Sequence, residues 1–254
     1  MERNYSVLEY LRRLENQNKP LYRFKAQSLE EWREWRSKLK NKLIELLGGF
    51  PEEKVPLNPE VTESFEKDGI IVEKVVYDTE ENFSVPAYLL KPAGLKGKAP
   101  GILALHGHGR GKVDVVGISS SEVEYQKYIA PLNYDYGFKL ARKGYVVLAP
   151  DGRCFGELSK DGVTCTWGFT SSLLLGKTMV GQRVWDAIRS IDFLQSLPFV
   201  DKEKIGCVGL SWGGTWTAYT SALDERIKVA VISGYFSTFR DMLIERGECP
   251  CQYI

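Results

Sequence analysis

A chain of 254 residues with 43% hydrophobic and 26% charged residues has the composition of one globular domain with a small appendage, which excludes disorder throughout. Lys+Arg 34 against Asp+Glu 33 leaves a net charge of +1, so there is no electrostatic case for nucleic acid or an anionic membrane surface as partner. The longest apolar runs, such as Leu173-Leu174-Leu175, fall far short of a membrane span. The polar start Met1-Glu2-Arg3-Asn4-Tyr5 lacks the apolar stretch of a signal peptide, and five cysteines, an odd number, read as reduced thiols of a cytoplasmic protein.

Residues 1–50 are expected to form a helical N-terminal extension, and 51–254 the main α/β core. Tyr5–Asn16 is a short amphipathic stretch. Ser28-Leu29-Glu30-Glu31 has the spacing of a capping box, and Trp32, Trp35, Leu39, Leu43 and Leu46 follow at helical steps as a stripe read as core packing. Gly48-Gly49 and Pro51 end that helix. Ile70–Tyr77 and Phe83–Leu90 are β-rich runs joined by a polar turn, which predicts an antiparallel hairpin. Beyond it, apolar strands at Gly101–Leu105, Tyr145–Pro150, Ile205–Leu210 and Ile227–Ser233 alternate with helices at Tyr136–Arg142, Val180–Leu197 and Gly213–Leu223. That alternation predicts a doubly wound, mostly parallel sheet of the α/β class. The connections Gly107–Asp135 and Asp151–Met179 are too long to be mere links. Both leave the C-terminal ends of strands, where open α/β sheets place their ligands.

Chemistry concentrates at those ends. Gly209-Leu210-Ser211-Trp212-Gly213 is a G-x-S-x-G at the end of a strand. There a sharp strand-to-helix turn exposes a serine hydroxyl, and the helix that follows aims its positive end at an oxyanion. His106-Gly107-His108-Gly109-Arg110-Gly111, directly after Leu105, is a glycine-bearing turn able to aim a backbone N–H at the same point. It matches neither G-x-G-x-x-G nor a Walker loop, and no cofactor is expected. Cys249-Pro250-Cys251 together with His106-Gly107-His108 offers ligand types suited to zinc. A C-x-C of this kind is more often incidental, so no metal site is expected. Phe155, Trp167 and Phe169 are candidates to line a substrate pocket, with loop packing as the equal alternative.

With Pro150-Asp151-Gly152-Arg153-Cys154-Phe155-Gly156, these segments resemble the α/β-hydrolase superfamily over roughly residues 60–240. The closest likeness is to dienelactone-hydrolase-like and acetyl-xylan-esterase-like carboxylesterases. His-Gly-x-Gly, Pro-Asp-x-Arg-x-x-Gly and Gly-x-Ser-x-Gly-Gly occur in that order. The resemblance implies hydrolysis of short-chain carboxylic esters through an acyl-enzyme on Ser211, with the N–H groups of Trp212 and His108 as oxyanion hole. A serine peptidase or acyl-peptide hydrolase of the same fold, or a non-catalytic binding protein, is the alternative. In the superfamily the acid and histidine follow the serine, whereas His106 and His108, the only histidines here, both precede it. The simplest expectation is that the last two strands of the sheet, carrying acid and histidine, are not in this chain. Ile227–Ser233 would then be an open edge, prone to self-association or to pairing with a chain that supplies those strands.

Overall fold

The structure, a computed structural model, describes residues 3–119 and 121–254. Seven strands form one sheet: β1 (Glu60–Lys67), β2 (Ile70–Glu80), β3 (Phe83–Pro92), β4 (Ala99–Leu105), β5 (Val146–Pro150), β6 (Val200–Leu210) and β7 (Ile227–Ser233). Their spatial order is β1-β2-β3-β5-β4-β6-β7. β5, β4, β6 and β7 pair in parallel, while β1, β2 and β3 pair antiparallel with one another and β3 antiparallel with β5. Five strands, β2, β5, β4, β6 and β7, therefore point the same way, as the α/β pattern predicts. β1 carries no apolar run and is almost wholly exposed; it extends the expected hairpin to three strands.

Helices cover both faces. α5 (Tyr136–Arg142) and the short α3 (Lys112–Val115) pack through Phe138, Ala141 and Val115 on Ile70, Val72, Leu90, Ala104 and Val147. α7 (Met179–Ser196) and α8 (Trp212–Leu223) cover the other face, where Val184, Ile191, Leu194, Trp216 and Leu223 meet Leu89, Leu103, Leu148 and Ile205. Both long connections hold helices of their own, α4 (Glu122–Tyr128) in the first and α6 (Cys165–Leu174) in the second, so neither is structureless.

The N-terminal α1 (Val7–Gln17) and α2 (Leu29–Leu46) are helical as expected. Ser28 caps α2 by accepting from the Glu31 N–H at 3.2 Å. The reciprocal arm differs from a capping box, because Glu31 accepts from the N–H of Gln27, one residue earlier. The expected core stripe is only partly buried: Trp32 and Leu46 stay exposed, and it is Leu47, just past the helix, that enters the core. No helix among the described residues is long and apolar enough to cross a membrane.

β7 is an edge strand paired only to β6. Val229 and Val231, 63% and 51% exposed, share one face. They line an apolar groove of about 640 Å³ with Ile102, Leu140, Tyr145 and Val208. Open strand edges bearing apolar side chains are templates for association. Sedimentation velocity should therefore show an average sedimentation coefficient that rises with protein concentration, and Val231→Lys should suppress the rise. A wild-type chain that stays monomeric over the whole range would contradict this.

Candidate active site

The turn from β6 into α8 holds Ser211 at φ 56° and ψ −120°, a left-handed backbone that costs a residue with a Cβ about 1–3 kcal/mol. Neighbouring chain enforces it. The Ser211 N–H donates to the Ser233 carbonyl at 2.7 Å. A Cβ on Gly213 would lie 2.0 Å from the Leu105 carbonyl oxygen, so glycine is required there. Leu105 is itself fixed from the far side by the Tyr136 hydroxyl, which donates to its carbonyl at 2.5 Å. Ser211 is exposed at the first turn of α8, where the N–H of Trp212 has no carbonyl partner inside the helix.

The His-Gly-His turn abuts this elbow. A Cβ on Gly107 would sit 2.8 Å from the Leu210 carbonyl and 3.4 Å from the Ser211 Cβ. The two histidines face different ways. His106 is 2% exposed; its Nε2 accepts from the Gly152 N–H at 2.8 Å and its Nδ1 lies 2.7 Å from the Gly107 carbonyl. Both ring nitrogens are thus engaged in backbone contacts, and burial pulls its pKa below the ordinary histidine range. The Nε2 of His108 faces Cys251 Sγ at 3.5 Å and Cys165 Sγ at 4.0 Å. Burial lowers its pKa as well, with the Arg183 charge adding to the effect.

Pro-Asp-x-Arg-x-x-Gly proves to be structural. Asp151, fully buried, accepts from the Lys112 N–H at 2.8 Å, pairs with Lys112 Nζ at 2.6 Å and accepts from the Glu157 N–H at 2.9 Å. This clamps the start of one long connection to the other, and Gly111 and Gly156 lack the Cβ that would strike its carboxylate. Arg153 grips Asp186 of α7 through Nε and Nη2 at 2.8 and 2.9 Å and also reaches Glu80. Burial opposes the Arg153 charge, but Asp186 and Glu80 outweigh it and raise the pKa.

The aromatic candidates part company. The ring of Phe155 lies between the site residues, 5.3 Å from both His106 and His108 and 5.6 Å from Trp212. Trp167 is on the surface at 57% exposure, and Phe169 is a core residue beside Tyr253. Two features escaped the sequence reading. Cys165, at the first position of α6, joins His108, Cys249 and Cys251 with their ligand atoms all within 4.8 Å of one another; His106 is not in the group. Arg183, fully buried in α7, donates to the Arg153 carbonyl and lies 3.9 Å over the Trp212 ring. The C-x-C was visible as a ligand pair. Nothing local marks Cys165 or Arg183.

The family model described as "Abhydrolase family" matches residues 2–244. The chain belongs to this family. Among curated proteins, this abhydrolase is 33% identical over 200 residues to "Putative hydrolase YtaP" of Bacillus subtilis, covering 77% of this chain and 63% of that protein. It superposes on a putative acetyl xylan esterase from Bacteroides fragilis with a TM-score of 0.76 at 20% identity, covering 90% of this chain and 60% of the other. A glucuronoyl esterase from Solibacter usitatus gives 0.59 at 18% identity, over 81% of this chain and 59% of that one. An acetyl xylan esterase from Paenibacillus sp. R4 gives 0.56 at 20% identity, over 95% and 69%. At these identities the structural matches establish the fold. The abhydrolase chain spans less than two thirds of the length of YtaP and of the Bacteroides protein.

The elbow geometry makes opposite demands on two positions separated by one residue. Gly213→Ala has no room for its methyl group and should lower the unfolding free energy by about 3 kcal/mol or more. Ser211→Gly removes backbone strain and should leave stability unchanged or raise it by up to about 2 kcal/mol. Urea unfolding of both variants checks the pair of signs, and equal destabilisation by the two would refute the strained-elbow geometry.

Proposed function

We propose that this chain carries the nucleophile and oxyanion half of a carboxylic ester hydrolase. The observation that carries the reading is the exposed Ser211, held in a left-handed backbone at the first turn of α8 with Gly107 packed against it. Ser211 Oγ attacks the ester carbonyl and gives up its proton to a base. The resulting oxyanion accepts hydrogen bonds from the backbone N–H groups of Trp212 and His108. Collapse expels the alcohol and leaves an acyl-enzyme, which water then cleaves to acid and free serine. Phe155 flanks the acyl position. The esterase names of the structural relatives favour esters over amides, and short acyl chains are the expected substrates. Five free thiols suit a cytoplasmic setting.

The base is the demanding element. His106 uses both ring nitrogens on backbone and His108 turns its Nε2 to sulfur; we take neither as the base. The reading therefore takes the base, and the acid that orients it, from outside residues 1–254. A triad enzyme without its base retains about 10³–10⁴-fold catalysis over water from the oxyanion hole and binding. The 254-residue chain should accordingly hydrolyse p-nitrophenyl acetate slowly, and Ser211→Ala should abolish that residual rate. With a base supplied, a fluorophosphonate probe should label Ser211, as located by peptide mass spectrometry. Residual hydrolysis unaffected by Ser211→Ala would leave the non-catalytic binding reading. High turnover by monomeric chain would place a base inside it, with His108→Ala the variant that identifies it.

A further inference from the structure

Three segments far apart in sequence bring thiols and an imidazole to one point. Cys165 comes from the first turn of α6, Cys249 and Cys251 from the turn after residue 247, and His108 from the turn after β4. Cys165 Sγ lies 3.4 Å from Cys249 Sγ, Cys249 Sγ 3.2 Å from Cys251 Sγ, and His108 Nε2 3.5 and 4.0 Å from Cys251 and Cys165. A tetrahedral zinc ion with ordinary bond lengths sets its ligand atoms about 3.8 Å apart for sulfur pairs and about 3.6 Å for sulfur and nitrogen. Four of the six separations fall within about 0.6 Å of those values, all six are within 4.8 Å, and all five cysteines of the chain are free.

A second observation concerns charge. Arg183 is fully buried, and a guanidinium stays protonated at any physiological pH. Its Nε and Nη2 donate to one backbone carbonyl, that of Arg153, and its Nη1 has no hydrogen-bond partner among the described residues. A buried cation without an anion is strongly unfavourable. Arg153, its neighbour, has Asp186 and Glu80 for this purpose. Around Arg183 the groups that favour the charge are cysteines, Cys251 first and then Cys154 and Cys165. As neutral thiols they supply no counter-charge.

We propose that His108, Cys165, Cys249 and Cys251 bind one zinc ion in a closed Cys₃His site. Binding displaces three thiol protons, and the divalent ion with three thiolates and a neutral imidazole carries a net charge of −1, the counterion Arg183 lacks. With four protein ligands and no open position the ion is structural. It ties the Cys249–Cys251 turn and the start of α6 to the imidazole of His108, and so steadies the turn that faces Ser211. The site stands on the cluster and on Arg183, and does not depend on the esterase reading.

The test is metal content. The tag-free chain, purified under reducing conditions without chelator, should carry about one zinc per chain by elemental mass spectrometry. A thiol-blocking mercurial should release that zinc. Replacement by cobalt should give the visible bands of a tetrahedral ion together with a near-ultraviolet thiolate charge-transfer band. Cys249→Ser combined with Cys251→Ser should lower zinc content at least about tenfold, whereas Cys207→Ala, outside the cluster, should keep it. Stripping zinc from the wild-type chain should lower its Tm by about 5 °C or more; this readout and the cobalt spectrum need no variant to fold. Substoichiometric zinc in chain expressed with zinc, with a cobalt spectrum lacking the thiolate band, would overturn the proposal. So would a disulfide among Cys165, Cys249 and Cys251 in the reduced preparation.

Discussion

The β6–α8 turn is the constraint around which the centre of the molecule is arranged. A non-glycine residue holds a left-handed backbone only where its surroundings leave no alternative, and here two parallel neighbours supply that confinement. β4 delivers the Leu105 carbonyl against Gly213, and β7 delivers the Ser233 carbonyl to the Ser211 N–H. Both depend on register. Leu105 stands opposite Gly209 and Ser233 opposite Leu210, so a slip of one residue in either pairing would remove a wall of the elbow. In β4 and the second half of β6, apolar runs buried between two layers of helices fix that register, whereas β7 is largely exposed and is aligned by its pairing with β6 and its contact with α8. The hydrophobic core therefore acts on the site through strand alignment, far more than through direct contact with Ser211.

Around the elbow, buried ions join the loops to the sheet. Bringing Lys112 and Asp151 out of water is costly, and the ion pair offsets this only because the carboxylate also accepts two backbone N–H groups. Arg153 meets the same condition with Asp186 and Glu80. Glu157, nearer the surface, is held below the ordinary carboxylate range: burial works against its charge, but hydrogen bonds from Lys112 and Lys74 prevail. The result is a rigid seat in which the strand-end motif after β5 positions the start of α3 and the Gly107 turn. Its residues serve geometry, and its carboxylate is too well enclosed and bonded for proton transfer with substrate.

How much of this was legible in the sequence follows from the range of each signal. Period-two and period-3.6 patterns are local, and they give the strands from β2 to β7, with Ile227–Ser233 matching to the residue and the helix Tyr136–Arg142 likewise. β1 was missed because Glu-Val-Thr-Glu-Ser-Phe-Glu-Lys buries almost nothing and carries no strand-like contrast. The stripe on α2 was read as core because Trp and Leu at helical spacing have no way to declare that the sheet reaches only its C-terminal end. The elbow was readable because its glycines and serine are contiguous. Phe155 and Phe169, fourteen residues apart in one connection, ended in opposite settings because α6 turns one of them inward. Cys165, Cys249 and His108 meet only after three segments have folded, and no spacing rule anticipates such a meeting.

The two histidines carry the same lesson into chemistry. One glycine separates them, yet His106 locks under Gly152 while His108 reaches the thiols. Both ring nitrogens of His106 are engaged by backbone, and the Nε2 of His108 by sulfur. Ser211 nevertheless occupies a backbone position where glycine would remove the strain, exposed at the positive end of α8. On the proposed reading, this strained and exposed hydroxyl at the start of a helix is a nucleophile whose proton acceptor comes from another element. Stability at this elbow is set by the sheet and its glycines, and on that reading reactivity is set separately, by the supply of a base.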